Sequence, residues 1–263
     1  AHGLAFKPDD VARTKAVMGI PDEPFWAPAN VVDAYRSHAS QRGAAANQEW
    51  TARNADLIKS PGWIACWNST GVEGWSDGLP VYEQGAKVAT RKAINAALDA
   101  TVEAIPGLVA GSADLTGNTG TKLAGQSAQS AANPGGRQIY FGVREHGMGS
   151  AMVGMALHGG VIPVGGTFFV FVDYMRPAVR LAALSSAKAC FVFTHDSVGV
   201  GEDGPTHQPV EQLATIRAIP DLHVIRPADA NETVAAWKDA VGHDGPTALV
   251  LSRQDIPVVT DGS

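Results

Sequence analysis

The segment Thr194-His195-Asp196-Ser197-Val198-Gly199-Val200-Gly201-Glu202-Asp203-Gly204-Pro205-Thr206-His207-Gln208-Pro209 gathers two imidazoles and three carboxylates in one stretch. Imidazoles can hold hydroxyl or phosphate groups and relay protons near neutral pH, and carboxylates beside them can accept hydroxyl hydrogens. A single loop histidine is more often a satisfied surface residue. Two of them, with Asp203 and the rigid Gly204-Pro205 in between, fit that description less well. The spacing matches no zinc-ligand pattern. Directly before the segment runs Ala189-Cys190-Phe191-Val192-Phe193, short, aromatic and β-branched, which predicts a buried parallel strand whose carboxyl end delivers the loop. Open α/β sheets place their ligands along that edge.

Other residues of the same kind are spread along the chain. Glu145 follows an apolar run and stands where a helix starts, which suits either a carboxylate favoured by free N–H groups or an acid with a chemical task. Phe168, Phe171 and Tyr174 recur every three residues and so share one face of a helix start; by spacing alone such a stripe is more often core than cofactor pocket. Asp114 and Leu115 lie in a turn, where an Asp commonly caps the next segment. Arg91 and Arg253, taken singly, are ordinary solvated charges.

The elements that must carry these groups alternate. Strands are predicted at 108–110, 139–141, 161–164, 190–193, 223–225 and 248–251, with helices at 90–98, 148–157, 170–184, 210–216 and 232–241. This alternation implies an α/β fold: a mostly parallel open sheet with helices on both faces. Residues 1–80 differ, with helical signals broken by proline and tryptophan: a short helix over Val11 to Val17 behind Pro8-Asp9-Asp10, and a longer one from Pro28 through Tyr35 towards Trp50. Such a segment has little apolar surface for a core of its own, and Ser76-Asp77-Gly78-Leu79-Pro80 reads as a linker. The small, polar stretch Gly125 to Gly136 is expected to be a mobile surface loop.

Composition narrows the class further. With 263 residues, 45% hydrophobic and 17% charged, the chain suits a globular protein able to bury a substantial core. A net charge of -6 without a Lys/Arg cluster argues against nucleic acid, while small anionic ligands need only a few local cations. No run approaches the ~18 apolar residues of a membrane span. Only Cys66 and Cys190 are present, far apart, so a disulfide framework is not expected and a reducing, cytoplasmic setting is. The chain opens on Ala-His-Gly without Met and closes on a loop-like tail, as a piece of a longer protein would.

Gly111-Ser112-Ala113-Asp114-Leu115, Phe141-Gly142-Val143-Arg144-Glu145-His146-Gly147-Met148, Gly165-Gly166-Thr167-Phe168 and the segment from Thr194 to Pro209 occur in this order, and together they resemble the pyrimidine-binding domain of the transketolase family across about residues 90 to 253. His2-Gly3 with Pro8-Asp9-Asp10 resembles the end of that family's diphosphate-binding domain. The resemblance implies residues 1–80 as the end of that domain and linker, residues 81–263 as the pyrimidine-binding domain, and no C-terminal domain. It further implies thiamine diphosphate with Mg2+ or another divalent ion. The reaction would be transfer of a two-carbon ketol unit, through the thiazolium ylid, from a ketose phosphate to an aldose phosphate in the pentose phosphate pathway. The enzyme would be a homodimer with the cofactor between subunits.

The same resemblance distributes roles. Glu145 would hydrogen-bond the cofactor's N1′; Asp114, Leu115, Phe168, Phe171 and Tyr174 would form the pyrimidine pocket, with His2 joining the cofactor and substrate from the preceding domain. His195, Arg91 and Arg253 would hold the sugar phosphate, Asp203 a substrate hydroxyl, and His207 would move a proton at the bound carbonyl; His195 and His207 count with Glu145 as catalytic. Where the family usually has serine then asparagine, this chain has Gly117-Asn118-Thr119, so Asn118 or Thr119 would be the phosphate donor. No Gly-Asp-Gly with a following Asn is found, so the metal and diphosphate ligands are expected upstream of Ala1, and this piece alone is expected to be inactive. The rival readings are a dihydroxyacetone synthase-like transferase and a noncatalytic dimerisation or regulatory module of the same fold.

Overall fold

The computed structural model describes residues 3–262 and divides into two compact units, Ala1–Leu57 and Ile58–Ser263. His2 lies outside the described residues. The first unit holds α1 (Pro8–Met18) and α2 (Ala29–Arg53), close to the two helices expected. Pro8 opens α1 with Asp9 and Asp10 in its first turn, and Gly19 closes it at φ 69°. Neither helix has a buried residue, so this unit makes no core of its own.

The second unit follows the predicted alternation. Its elements are α3 (Pro61–Trp67), β1 (Lys87–Val88), α4 (Thr90–Thr101), β2 (Leu108–Ser112), β3 (Gln138–Tyr140), α5 (Glu145–His158), β4 (Ile162–Phe168), α6 (Val172–Leu184), β5 (Cys190–Thr194), α7 (Gln212–Arg217), β6 (His223–Ile225), α8 (Ala230–Gly242), β7 (Thr247–Leu251) and β8 (Ile256–Pro257). Six strands form one sheet in the order β3-β2-β4-β5-β7-β6, every neighbouring pair parallel. The strands β1 and β8, too short to show any periodicity in sequence, pair antiparallel apart from it.

Helices cover both faces, and β5 shows why its sequence is apolar throughout. Cys190 and Val192 point into one core with Ile94 and Leu98 of α4 and Trp237 of α8. Phe191 and Phe193 point into the other with Met148 and Met152 of α5 and Met175 of α6. The buried Trp237 indole donates to Thr101 Oγ1 at 3.1 Å, so its polar edge is satisfied. The stretch from Gly125 to Gly136 is tethered: Asn133 Nδ2 donates to Ser127 Oγ at 2.8 Å and to the Ala128 carbonyl at 2.9 Å.

The fully buried Asp229 caps α8 and pins the tail of the chain. Its carboxylate accepts from Glu232 N at 2.9 Å and from Val259 N and Thr260 N at 2.8 Å each. Burial pushes this carboxyl up, but the amides of Glu232, Thr260 and Val259 outweigh it and hold the group below its ordinary 3.8. Asp229→Ala should therefore cost about 2–4 kcal/mol. In a circular-dichroism melt that is a Tm lower by roughly 5–10 °C. Because the folded pKa is depressed, the stabilisation is complete above the ordinary carboxyl value and fades as pH falls through the folded one, so wild type and variant should converge in acid.

Candidate active site

The chain leaves β2 for β3 on one side and returns to β4 on the other, so the loops after β2 and β4 part and open a crevice at the carboxyl ends of the strands. The expected residues collect along this edge. Asp114 and Leu115 follow β2, Glu145 follows β3, Phe168 ends β4, His195 follows β5 and Arg253 follows β7. Glycine lets the loops close in: a Cβ on Gly166 would stand 2.5 Å from Thr119 Oγ1, and one on Gly111 would strike the Ile139 carbonyl.

A cavity of about 520 Å³ opens there, lined by Ala113, Asp114, Leu115, Val143, Glu145, Phe171 and Tyr174. Its size is within the range of about 300–1,000 Å³ usual for small-molecule sites. Glu145 is the first residue of α5 and is 9% exposed, yet among the described residues nothing donates to its carboxylate. Asp114 sits at φ 69°, and the turn is closed by Leu115 N donating to Ser112 Oγ at 2.9 Å. Capping in this turn thus belongs to Ser112, and Asp114 lines the pocket.

The aromatic trio divides its work. A single 3-10 turn, Phe169–Phe171, separates β4 from α6, and such a turn eclipses residues three apart. Ring centroids are 6.1 Å apart for both Phe168–Phe171 and Phe171–Tyr174. Phe171 and Tyr174 form pocket wall, while Phe168 lies behind them, stacked on the His195 ring at 3.6 Å. His207 meets Phe171 edge-on at 5.3 Å and Phe168 at 6.0 Å. Its Nδ1 is 2.8 Å from Thr206 Oγ1.

His195 is not a surface histidine: it is 4% exposed, adopts φ 58°, and its Nδ1 is 3.1 Å from Thr194 Oγ1. Burial first, then the cations Arg91 and Arg253 and the neighbouring His207, push its pKa down to about 4 against the opposing pull of Asp203. His195 is therefore a neutral imidazole near pH 7 in the unliganded protein, with one ring nitrogen to donate and one to accept.

Arg91 is partly buried and donates to the Asn118 carbonyl at 2.9 Å and to the Arg253 carbonyl at 3.2 Å. Burial and the nearby Arg253 lower its pKa. Arg253 pairs with Glu202 at 3.4 Å. Of the two expected donors after Leu115, Asn118 is exposed and its side chain makes no hydrogen bond among the described residues, whereas Thr119 is fully buried and bonded to the Leu115 carbonyl at 3.0 Å and to Thr121 Oγ1 at 2.9 Å. Thr119 is thereby removed from the candidates. One bridge went unseen in the sequence: Gln212 Nε2 donates to Asp173 Oδ2 at 3.0 Å and its Oε1 accepts from Val210 N at 2.9 Å, tying the loop beyond His207 to the helix that carries Tyr174. Among the described residues no group of three or more His, Cys, Asp or Glu is arranged to hold a metal ion.

Comparison with known proteins gives two family matches, the transketolase pyrimidine-binding domain over residues 86–259 and the transketolase thiamine diphosphate-binding domain over residues 1–62. A transketolase from Halalkalibacterium halodurans is 48% identical over 266 residues, covering 98% of this chain and 40% of that protein. The chain thus spans about 40% of the length of the curated relatives it matches. Among solved structures, the transketolase from Leishmania mexicana superimposes with a TM-score of 0.87 at 39% identity, over 98% of this chain and 39% of that one. A Pichia stipitis transketolase in complex with sedoheptulose-7-phosphate gives 0.84 at 39% identity, over 96% of this chain and 39% of its own length.

Proposed function

Because this chain belongs to the transketolase family, we propose that its crevice receives the aminopyrimidine of thiamine diphosphate and that the protein built on it transfers a two-carbon ketol unit from a ketose phosphate to an aldose phosphate. One observation carries the reading: the almost buried Glu145 carboxylate, without a hydrogen-bond donor among the described residues, lines a pocket with Leu115 and Phe171. A flat heterocycle with one ring nitrogen to share suits that combination, since it offers the face for stacking and the hydrogen bond the acid lacks. No helix among the described residues is long and apolar enough to cross a membrane. Both cysteines are free, in keeping with a cytoplasmic protein.

When bound, thiamine diphosphate supplies the nucleophilic carbon and the electron sink. The chain's own groups bind and orient. Glu145 holds a proton at N1′; Phe171 and Tyr174 present ring surface, and Asp114 and Leu115 close the opposite wall. Phe168 supports Phe171 and His195 from behind. His207, edge-on to Phe171, moves a proton at the substrate carbonyl, and Asp203 takes a hydroxyl. Arg91, Arg253, Asn118 and the neutral His195 hold the phosphate, with His2 assigned to the cofactor and substrate by family resemblance alone. The diphosphate and its Mg2+ or other divalent ion would belong to the thiamine diphosphate-binding domain that residues 1–62 match, and a homodimer with the cofactor between subunits completes the reading.

The test is a direct transfer assay on the full-length protein with added cofactor and Mg2+, using xylulose 5-phosphate as donor. Transfer to ribose 5-phosphate well above transfer to formaldehyde is expected. Preference for formaldehyde would favour the dihydroxyacetone synthase-like alternative, and no transfer to either would leave a noncatalytic module of this fold.

A further inference from the structure

We propose that Arg226 is a positioning residue for the phosphate site: by clamping Asp196 it fixes the backbone turn at His195 and seats the imidazole on Phe168. The proposal rests on the reading of His195 as a phosphate contact. Arg226 stands just beyond β6, Asp196 two residues beyond β5, and β7 lies between those strands in the sheet. Its guanidinium therefore reaches across the carboxyl end of β7. Nε donates to Asp196 Oδ2 at 2.9 Å and Nη2 lies 2.8 Å from the same oxygen.

This is not an ordinary surface pair. The Asp196 side chain is 9% exposed, and its second oxygen is buried without a partner among the described residues, so Arg226 supplies most of what offsets its desolvation. The adjoining His195 holds φ 58°, a left-handed conformation that a residue with a Cβ adopts only when its surroundings impose it. Stacking on Phe168 and the contact with Thr194 restrain the ring, and the clamp on Asp196 restrains the peptide that follows. Without Arg226 the carboxylate must turn towards water or towards Arg91 and Arg253. Either movement removes the anchor on the Asp196 side and frees the peptide between His195 and Asp196 to rotate. The imidazole would then leave Phe168 and gain water, in a field set by Arg91, Arg253, His207 and Asp203.

The experiment uses the full-length protein with 13C-labelled histidine, comparing wild type with Arg226→Gln and Arg226→Lys. In wild type the His195 ring should titrate near pH 4, as its burial and cationic neighbours require. Arg226→Gln should raise that midpoint by at least about one unit. It should also raise KM for a phosphorylated ketose about tenfold with kcat changed less than about twofold, and Arg226→Lys should restore most of both. A merely structural residue would lower Tm and leave the midpoint in place. A folded Arg226→Gln protein with an unchanged His195 midpoint overturns the proposal. A midpoint that moves while KM stays constant upholds the clamp and removes His195 from phosphate binding, which separates this inference from the reading it rests on. Should Arg226→Gln fail to fold, Asp196→Asn, which removes the clamped charge at constant size, must shift the midpoint in the same direction, and no shift overturns the proposal equally.

Discussion

Glu145→Gln in the full-length protein is expected to lower ketol transfer by about 10²–10⁴-fold, the span usual for loss of a general acid-base group. Glutamine keeps the size and the reach of the side chain but cannot exchange a proton with a ring nitrogen. The fold should not suffer. Among the described residues the carboxylate accepts no hydrogen bond, so no native contact is broken, and replacing a nearly buried charge by an amide relieves desolvation. The helix start gives part of that back, because a carboxylate at the first residue of α5 is favoured by the free N–H groups there. Tm should consequently stay level or rise slightly, as at other positions where function is held against stability. The decisive measurement is exchange of the bound cofactor's C2 proton with D2O, followed by NMR after acid quench. Slowing in step with turnover supports the assignment; exchange at the wild-type rate would show that Glu145 takes no part in proton movement.

Much of this site was legible because its residues stand beside strand ends. Short apolar runs marked β2 to β7, and in a parallel sheet the residue after such a run must emerge at one edge. Glu145 was placed at a strand end and helix start that way, while its cofactor role and the pocket roles of Asp114 and Leu115 came from the family resemblance. Phe171 and Tyr174 reached the pocket through a spacing of three that suits the 3-10 turn at Phe169–Phe171 better than the helix predicted from Val170.

What escaped the sequence depends on contacts between distant segments. Nothing local shows that Thr119 is spent on Leu115 and Thr121, since a threonine after Gly117-Asn118 looks like a free loop donor. The burial of His195 follows from Phe168 arriving on the adjacent strand β4, 27 residues earlier in the chain by their numbering. The Arg226–Asp196 pair needs the order β5-β7-β6, which periodicity does not supply because β7 follows β6 in the chain yet lies between it and β5. Two-residue strands such as β1 and β8 carry no pattern at all.

Arg253→Ala should raise KM for phosphorylated donors about 10- to 100-fold, the worth of a charge-assisted hydrogen bond to an anion, with a much smaller change in kcat. The geometry gives the reason. Arg253 reaches the carboxyl edge of β7 beside Arg91, and its present partner Glu202 is 85% exposed on the side chain, so a phosphate displaces a weak surface pair and gains a dianion's contact in its place. Arg91 remains in the variant, held by the carbonyls of Asn118 and of residue 253 itself, both main-chain groups that the substitution leaves in place. Binding should therefore weaken without vanishing, and raised salt should weaken what remains less than it weakens wild type, because one cation in place of two leaves less Coulomb attraction to screen. An unphosphorylated ketose is the control: its KM should be nearly unaffected. Equal increases for phosphorylated and unphosphorylated donors would mean that Arg253 supports the loop from Thr194 to Pro209 through Glu202 and does not bind the phosphate.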